Sequence, residues 1–286
     1  MSTASQARMV SGGRAPLVLA YAVAVVGALV MVAPFAWMVL TSLTDETKIF
    51  VYPPSFWPDP FVLSNYARLF RDAPVARYGL NSTVIAVVTT IGVVISCSMA
   101  AFSLARLRFP GRAVWFSVIL ATLFVPGQVL LIPRYFLFRA LGWIDTLYPL
   151  LVPSFFGGAF GIFLLVQFFR AIPEELSDAA RVDGANPGQI FLRIFVPLST
   201  PALAALGIFQ FLYGWNEFLE PLIYLNTDAM YTFPLALTRF QNHYGGEYFW
   251  PVVLAGAILG TIPSILVYTV GQRQFVQGVI LSGIKR

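Results

Sequence analysis

Six stretches of this chain are long and apolar enough to cross a lipid bilayer: near 16–42, 80–104, 113–133, 147–169, 202–225 and 250–271. One crossing takes about 20 apolar residues, and each stretch meets that length. The expectation is an all-α integral membrane protein, one transmembrane domain over 1–286 with six membrane-spanning helices. Composition enters as a check: 58% of the residues are hydrophobic and 11% charged, against roughly a quarter charged in soluble domains. The first stretch is too long for a signal-peptide core and lacks a clear small-residue cleavage site, so it reads as a retained helix.

Basic residues set the orientation. Both tails and segments 105–112 and 170–199 hold 11 Lys and Arg, whereas loops 43–79, 134–146 and 226–249 hold 7. Cytoplasmic segments carry the basic excess, so both termini are expected in the cytoplasm and those three loops outside. The net charge of +5 is scattered over span ends, which suits topology rather than nucleic-acid binding. Cys97 is the single cysteine and lies in an apolar span, so there is no disulfide framework.

The polar interruption between the fourth and fifth spans, 173–197, has its own helical pattern. Pro173 suits a first turn, and Glu174, Glu175 and Asp178 suit the positive end of a helix dipole. Leu176, Ala179, Ala180 and Asp183 share a face, and Gly184 supplies a stop. Asn186, Pro187 and Gln189 restart a helix as side-chain cap, first-turn proline and capping amide. Ile190, Phe191, Ile194 and Phe195 form its apolar stripe, and Pro197 ends it. A surface helix on anionic lipid would be led by basic residues, not acids. The stretch therefore reads as a docking knob for a protein groove.

Asp178-Ala179-Ala180, Gly184 after three residues, Ile194 after nine more, then Val196-Pro197 resemble the EAA motif of ATP-binding-cassette importer permeases. Asp178 and Val196 stand where that pattern has Glu and Leu. The resemblance implies that 173–197 is a coupling-helix loop inserted into an ATPase subunit, with Glu174, Glu175, Asp178, Ala179, Ala180, Asp183, Gly184, Ile194 and Pro197 as coupling residues. The tail from Gln274 ends as that family's permeases do, and Asn65-Tyr66, Asn81-Ser82 and the run Trp215–Phe218 resemble its maltose-type carbohydrate branch. That implies a second, different permease subunit, two ATP-binding subunits and an extracytoplasmic solute-binding protein touching the outer loop 226–249. ATP and Mg belong on the ATPase, with no cofactor in this chain.

For a solute path the fifth span is the most unusual. Gln210, Tyr213, Glu217 and Glu220 recur at steps of three, four and three, which places them on one face of a continuous helix. A mid-membrane carboxylate costs roughly 2.5–3.5 kcal/mol, so Glu217, with Asn216, is expected to line a cavity. Glu220, about three residues nearer the headgroups, is expected to be a solvated span end. Carboxylates, amides and rings suit sugar hydroxyls and apolar sugar faces. In the third span Gln128 sits between Pro126 and Pro133; cavity lining and a packing kink both fit. Gly157/Gly161 and Gly256/Gly260 suit close helix packing, within this chain or against a second subunit. His243 reads as a polar loop residue.

No phosphate-binding GxxxxGK[ST] loop, HExxH, GxSxG or metal-spaced Cys/His pair occurs, so an enzyme reading has no support and ATP hydrolysis is assigned to another chain. Two rivals follow from the residues alone. An ion-coupled secondary transporter would use Glu217 as its intramembrane acid, and a non-transporting scaffold would use only the knob. Dependence of uptake on ATP, on an ion gradient, or no flux at all separates the three.

Overall fold

The computed structural model describes residues 14–53, 56–242 and 249–283, with side chains over 17–53, 56–238 and 249–272. Of the residues singled out above, His243 lies outside the described residues, as do the last three residues of the tail and the Gln274 side chain. Every element among the described residues is helical. In chain order these are α1 Arg14–Ser42, α2 Ser64–Asp72, α3 Val75–Arg106, α4 Arg112–Ala121, α5 Leu131–Ala140, α6 Tyr148–Leu151 and α7 Ala159–Ala171. Then come α8 Glu175–Val182, α9 Pro187–Ile190, α10 Val196–Leu198, α11 Thr200–Asn216, α12 Leu219–Tyr224, α13 Phe233–Asn242 and α14 Trp250–Gly283.

Among the described residues, four segments are long and apolar enough to cross a membrane: Leu17–Ser42, Val75–Arg106, Tyr148–Ala171 and Trp250–Gln272. The number reaches six if each of two sharply bent pairs is one span. Arg112–Phe124 turns by 92° into Gly127–Ala140, and Pro187–Leu198 turns by 78° into Thr200–Asn216. The first bend replaces the single rod expected over 113–133. Proline disfavours helical geometry in the residue before it, and Val125, ahead of Pro126, is extended at φ −89°, ψ 112°. The fifth span also stops short of its expected end. Glu217 leaves the helix at φ −64°, ψ 126°, and α12 starts anew at Leu219.

α1 shows apolar side chains to its surroundings on every side, from Leu17 through Val39, as a helix solvated by lipid would. Its exit is fixed by the pair Asn65-Tyr66. Asn65 Nδ2 donates to the Ser42 carbonyl at 2.9 Å and the Thr44 carbonyl at 3.1 Å, and Tyr66 Oη meets Ser42 Oγ at 2.9 Å. These bonds satisfy carbonyls that the helix end leaves open.

α3 is the spine. Val75, Tyr78 and Ile85 belong to one buried cluster with Leu69, Phe138, Tyr224 and Phe233. Cys97, Phe102 and Leu104 belong to a second, with Leu165, Phe169, Ile190 and Phe195. Small residues let neighbours close on it. A Cβ on Gly214 would stand 2.9 Å from Thr89 Oγ1 and 3.2 Å from the Ala86 backbone, and one on Gly161 would stand 2.8 Å from Cys97 Sγ. On α14, a Cβ at Gly256 would meet Leu237 and one at Gly260 would meet Phe233. Three of the four glycines read as packing residues thus approach neighbours in this chain. The fourth, Gly157, sits at φ +83° as the turn into α7.

At its first turns α3 holds the segment that follows α12. Tyr78 Oη donates to both Asp228 carboxylate oxygens at 2.8 and 2.9 Å. Asn81 Nδ2 donates to the carbonyls of Ala229 and Tyr231, and Ser82 Oγ accepts the Phe233 N–H at 2.8 Å. Asn81-Ser82 is thus an architectural pair. The knob lies at the other end of α3, where Phe102 packs on Phe191 and Phe195.

Candidate functional site

The stretch 173–197 folds into two short helices through bonds that its own sequence supplies. α8 ends at Val182 with Asp183 as cap, and Gly184 follows at φ +81°. The Gly184 N–H bonds the Arg181 carbonyl at 3.0 Å and the Ala185 N–H bonds Ala180 at 2.9 Å. This bond pair is a Schellman ending. A Cβ on Gly184 would meet open space, so the backbone angle alone demands glycine there. Asn186 Oδ1 accepts the Gln189 N–H and Gln189 Oε1 accepts the Asn186 N–H, both at 2.9 Å. That is the expected capping box, with Pro187 in the first turn.

Beyond α9 the backbone widens into a π-helical turn over Phe191–Phe195, where the Val196 N–H reaches the Phe191 carbonyl. Pro197 offers no N–H to its i−4 carbonyl and its ring crowds that position, which the wider turn relieves. The apolar stripe splits as its spacing implies: Ile190 and Phe195 are buried, and Phe191 and Ile194 pack partly against the same cluster.

The knob's outer face combines charge with bare apolar side chains. Glu174, Glu175, Asp178, Ala179, Asp183 and Pro197 are exposed, while Ala180 packs partly against the second cluster. Asp178 pairs with Arg181 at 2.6 Å, and Glu174 lies 3.9 Å from Arg108. Val182 is 88% exposed and Leu192 is 64% exposed. The motif-based reading passed over both. Their signal was apolar side chains next to a glycine turn on a helix too short to bury them.

A cavity of ≈ 200 Å³, with polar groups set in a mainly apolar wall, lies against the middle of α3. It is lined by Ile85, Thr89 and Val93 of α3, Arg134 of α5, Leu150 of α6, Pro153 and Ser154, and Gln210, Tyr213 and Gly214 of α11, with Glu217 and Glu220. Gln210, Tyr213, Glu217 and Glu220 therefore meet in one place, but not along one continuous helix face. Glu217 Oε1 accepts the N–H groups of Leu219 and Glu220 at 3.0 and 3.1 Å. Its carboxylate satisfies two open donors at the start of α12 while bordering the cavity.

Glu220 is not a solvated span end. Its Oε1 meets Arg134 Nη1 at 3.1 Å, and Arg134 was assigned only to an outer loop. Asn216 turns elsewhere: Nδ2 donates to the Leu212 carbonyl at 2.7 Å and lies 3.4 Å from Ser264 Oγ on α14. Trp215 Nε1 likewise donates to the Gly260 carbonyl at 2.8 Å. Gln128 is exposed in the 3-10 turn Gly127–Leu130 after the 92° bend and is not among the cavity's lining residues. Among the described residues no three His, Cys, Asp or Glu side chains gather as a metal site.

The family described as binding-protein-dependent transport system inner membrane component matches residues 92–276, more than half of the chain. This chain belongs to that family. The permease is 34% identical over 267 residues to the lactose transport system permease protein LacG of Rhizobium radiobacter, covering 93% of this chain and 96% of that one. It is 30% identical over 253 residues to the sulfoquinovosyl glycerol transport system permease protein SmoH of Agrobacterium fabrum, covering 88% of each. A chain of a crystallised bacterial ABC transporter involved in the import of the acidic polysaccharide alginate superposes with a TM-score of 0.80 at 25% identity, over 93% of this permease and 98% of that chain.

This protein is thus a multi-pass permease subunit of an ABC-type importer. It forms the solute pathway and works in an assembly with separate ATPase subunits, which hydrolyse the ATP, and a solute-binding protein. Relatives named for quite different solutes match it at similar identity, so no maltose-type branch is singled out.

Proposed function

We propose that the permease carries an uncharged, hydroxyl-rich solute, a sugar or short oligosaccharide, through the cavity bordered by Glu217 and Glu220. The carrying observation is the charge inventory of that cavity: two carboxylates against one guanidinium, and that guanidinium already spent on Glu220 at 3.1 Å. A phosphate, sulfonate or uronate would meet excess negative charge. A neutral sugar meets acceptors for its hydroxyls in the carboxylates, the Gln210 amide and the Tyr213 hydroxyl. The names of relatives support hydroxyl-rich cargo, among them lactose and arabinooligosaccharides.

In this reading the protein sits in the cytoplasmic membrane with both termini inside and 43–79, 134–146 and 226–249 outside. The knob at 173–197 enters a groove of an ATPase subunit that holds ATP and Mg, with Glu174, Glu175, Asp178, Asp183 and the bare Val182 at the contact. A different permease subunit, in the manner of the maltose-type branch, completes the membrane unit, with two ATPase subunits and one binding protein. ATP-driven closure of the ATPases draws the knobs together and switches the cavity between membrane faces. Glu217→Ala is expected to lower uptake at least about tenfold while leaving the ATPase subunits attached, each tenfold being about 1.4 kcal/mol. Uptake at the unmodified rate would remove the cavity from the pathway.

A further inference from the structure

Arg106, the last residue of α3, stands where that helix meets the knob. Its Nη2 donates to the Phe169 carbonyl at 2.5 Å and also to the Ile172 carbonyl. Phe169 closes α7, and Ile172 immediately precedes Pro173, so this is the stem by which the chain enters the knob. The same guanidinium lies over the ring of Phe195, 5.0 Å from its centroid. Phe195 is on the stem by which the chain leaves, fully buried and edge-on to Phe102 and Phe169 at 5.1 and 5.5 Å. Glu174, the acid at the start of the knob, makes no hydrogen bond to Arg106 and lies 3.9 Å from Arg108, with both of those side chains exposed. Arg106 is therefore directed at the two stems, not at the docking face.

The other end of this connection is the cavity. Thr89 and Val93 line it from α3, and Arg106 lies about 25 Å further along the helix from Thr89 at 1.5 Å per residue. A hydrogen-bonded helix carries displacement along its axis with little internal give. The guanidinium supplies what such a joint needs: one nitrogen, Nη2, that donates to both carbonyls, and a flat cationic face for a ring.

We propose that Arg106 is a positioning residue for coupled transport. It locks both stems of the knob to α3, so movement imposed on the knob by the ATPases reaches the cavity-lining face of the same helix. This rests on the docking reading of 173–197.

The test uses the full importer, with partner permease, ATPase subunits and binding protein, in proteoliposomes. Tyr213→Cys places a thiol in the cavity, and a fluorescent maleimide reports its accessibility with and without ATP and vanadate. With Arg106 present, nucleotide is expected to change the labelling rate at least about fivefold, the lower range of measured site-to-site couplings. With Arg106→Gln the change is expected to fall below about twofold while ATP hydrolysis continues, and Arg106→Lys, which keeps charge but not the flat face over Phe195, falls between. An unreduced nucleotide response in Arg106→Gln overturns the proposal. If that variant does not assemble, Arg106→Lys decides alone: a reduced response supports the proposal, and a full response or loss of the ATPase subunits overturns it. Failure of the docking reading shows separately, as ATPase subunits that stay attached after Val182→Glu.

Discussion

In the knob, the bonds that set the shape join close neighbours: Ala185 to Ala180, Gly184 to Arg181, Asn186 to Gln189. In the cavity they join distant ones, as Arg134 meets Glu220 across 86 residues of chain and Thr89 faces Gly214. The knob can therefore keep its form while it is displaced, because its caps travel with it. The cavity cannot, because its walls belong to α3, α5, α11 and α12, and any shift between those helices redraws it. An importer needs both properties: a rigid part to be pushed, and a part whose shape depends on the push.

The largest effect that sharpens this contrast is expected at Val182. At 88% exposure its replacement changes little within the chain, where surface substitutions fall within about 0.5 kcal/mol. In the proposed docking, Val182→Glu would instead put a charge into an apolar contact with the ATPase, where a central position is worth about 2–4 kcal/mol. The expected outcome is a permease with an unaltered melting temperature from which the ATPase subunits dissociate, read by co-purification. Retention of the ATPase would break the assignment of the knob as the docking element.

A smaller effect is expected at the ion pair in the cavity wall. The Arg134 and Glu220 side chains are 40% and 24% exposed, so screening limits the coupling to about 1 kcal/mol. Arg134→Gln and Glu220→Gln are each expected to lower thermal stability, and the double variant to lose less than their sum by about that amount. ATPase attachment should be unchanged in all three. Strictly additive losses would mean that the pair does not hold α5 to α12. Detachment of the ATPase would mean that knob and cavity are not separately built.

The same contrast decides what was legible in the sequence. The glycine stop, the capping box and the stripe of Ile190 and Phe195 could be read residue by residue because their partners lie within one or two turns. The π-helical turn was missed, since a proline announces a disturbance but not its form. In the fifth span, spacing grouped Gln210, Tyr213, Glu217 and Glu220, which all border one cavity, but assumed a helix running to 225. Glu217 ends α11 and caps the start of α12, a choice made by its local bonds against the apolar run. Arg134 could not be placed because its partner is chosen by tertiary packing. Asn216 looked like a neighbour of Glu217 and faces α14 instead, because adjacent helix positions point about 100° apart.

The smallest effect tests whether a third region behaves like the knob or like the cavity. Asp145, in the turn between α5 and α6, sits at φ +61°. Its carboxylate accepts the N–H groups of Asn226 and Thr227 at 2.9 and 2.8 Å and the Thr227 hydroxyl. Its own N–H donates to the Tyr224 carbonyl at 2.8 Å. Like the cavity, this clasp joins distant segments; like the knob, it does so through one residue's local geometry. The Thr227 hydroxyl and N–H, with the Asn226 N–H, hold the carboxyl below its ordinary value. The unfolded chain then binds more protons than the folded one as pH falls toward and through that value, so stability drops with pH there. The contribution is present above about pH 4 and is lost as pH falls through the lower folded value. Because the turn is open to solvent on one side and its charge is screened, the effect is held to about 0.5 kcal/mol or less. Asp145→Asn keeps a side chain that tolerates positive φ but gives up one acceptor and the charge. The expected result is a slightly lower melting temperature at pH 7 and a flatter acid limb, with the two proteins converging once the carboxyl is protonated in both states. Parallel acid limbs would show that the clasp is held by the Tyr224 backbone bond rather than by the carboxylate, and would move this turn into the class of locally built elements.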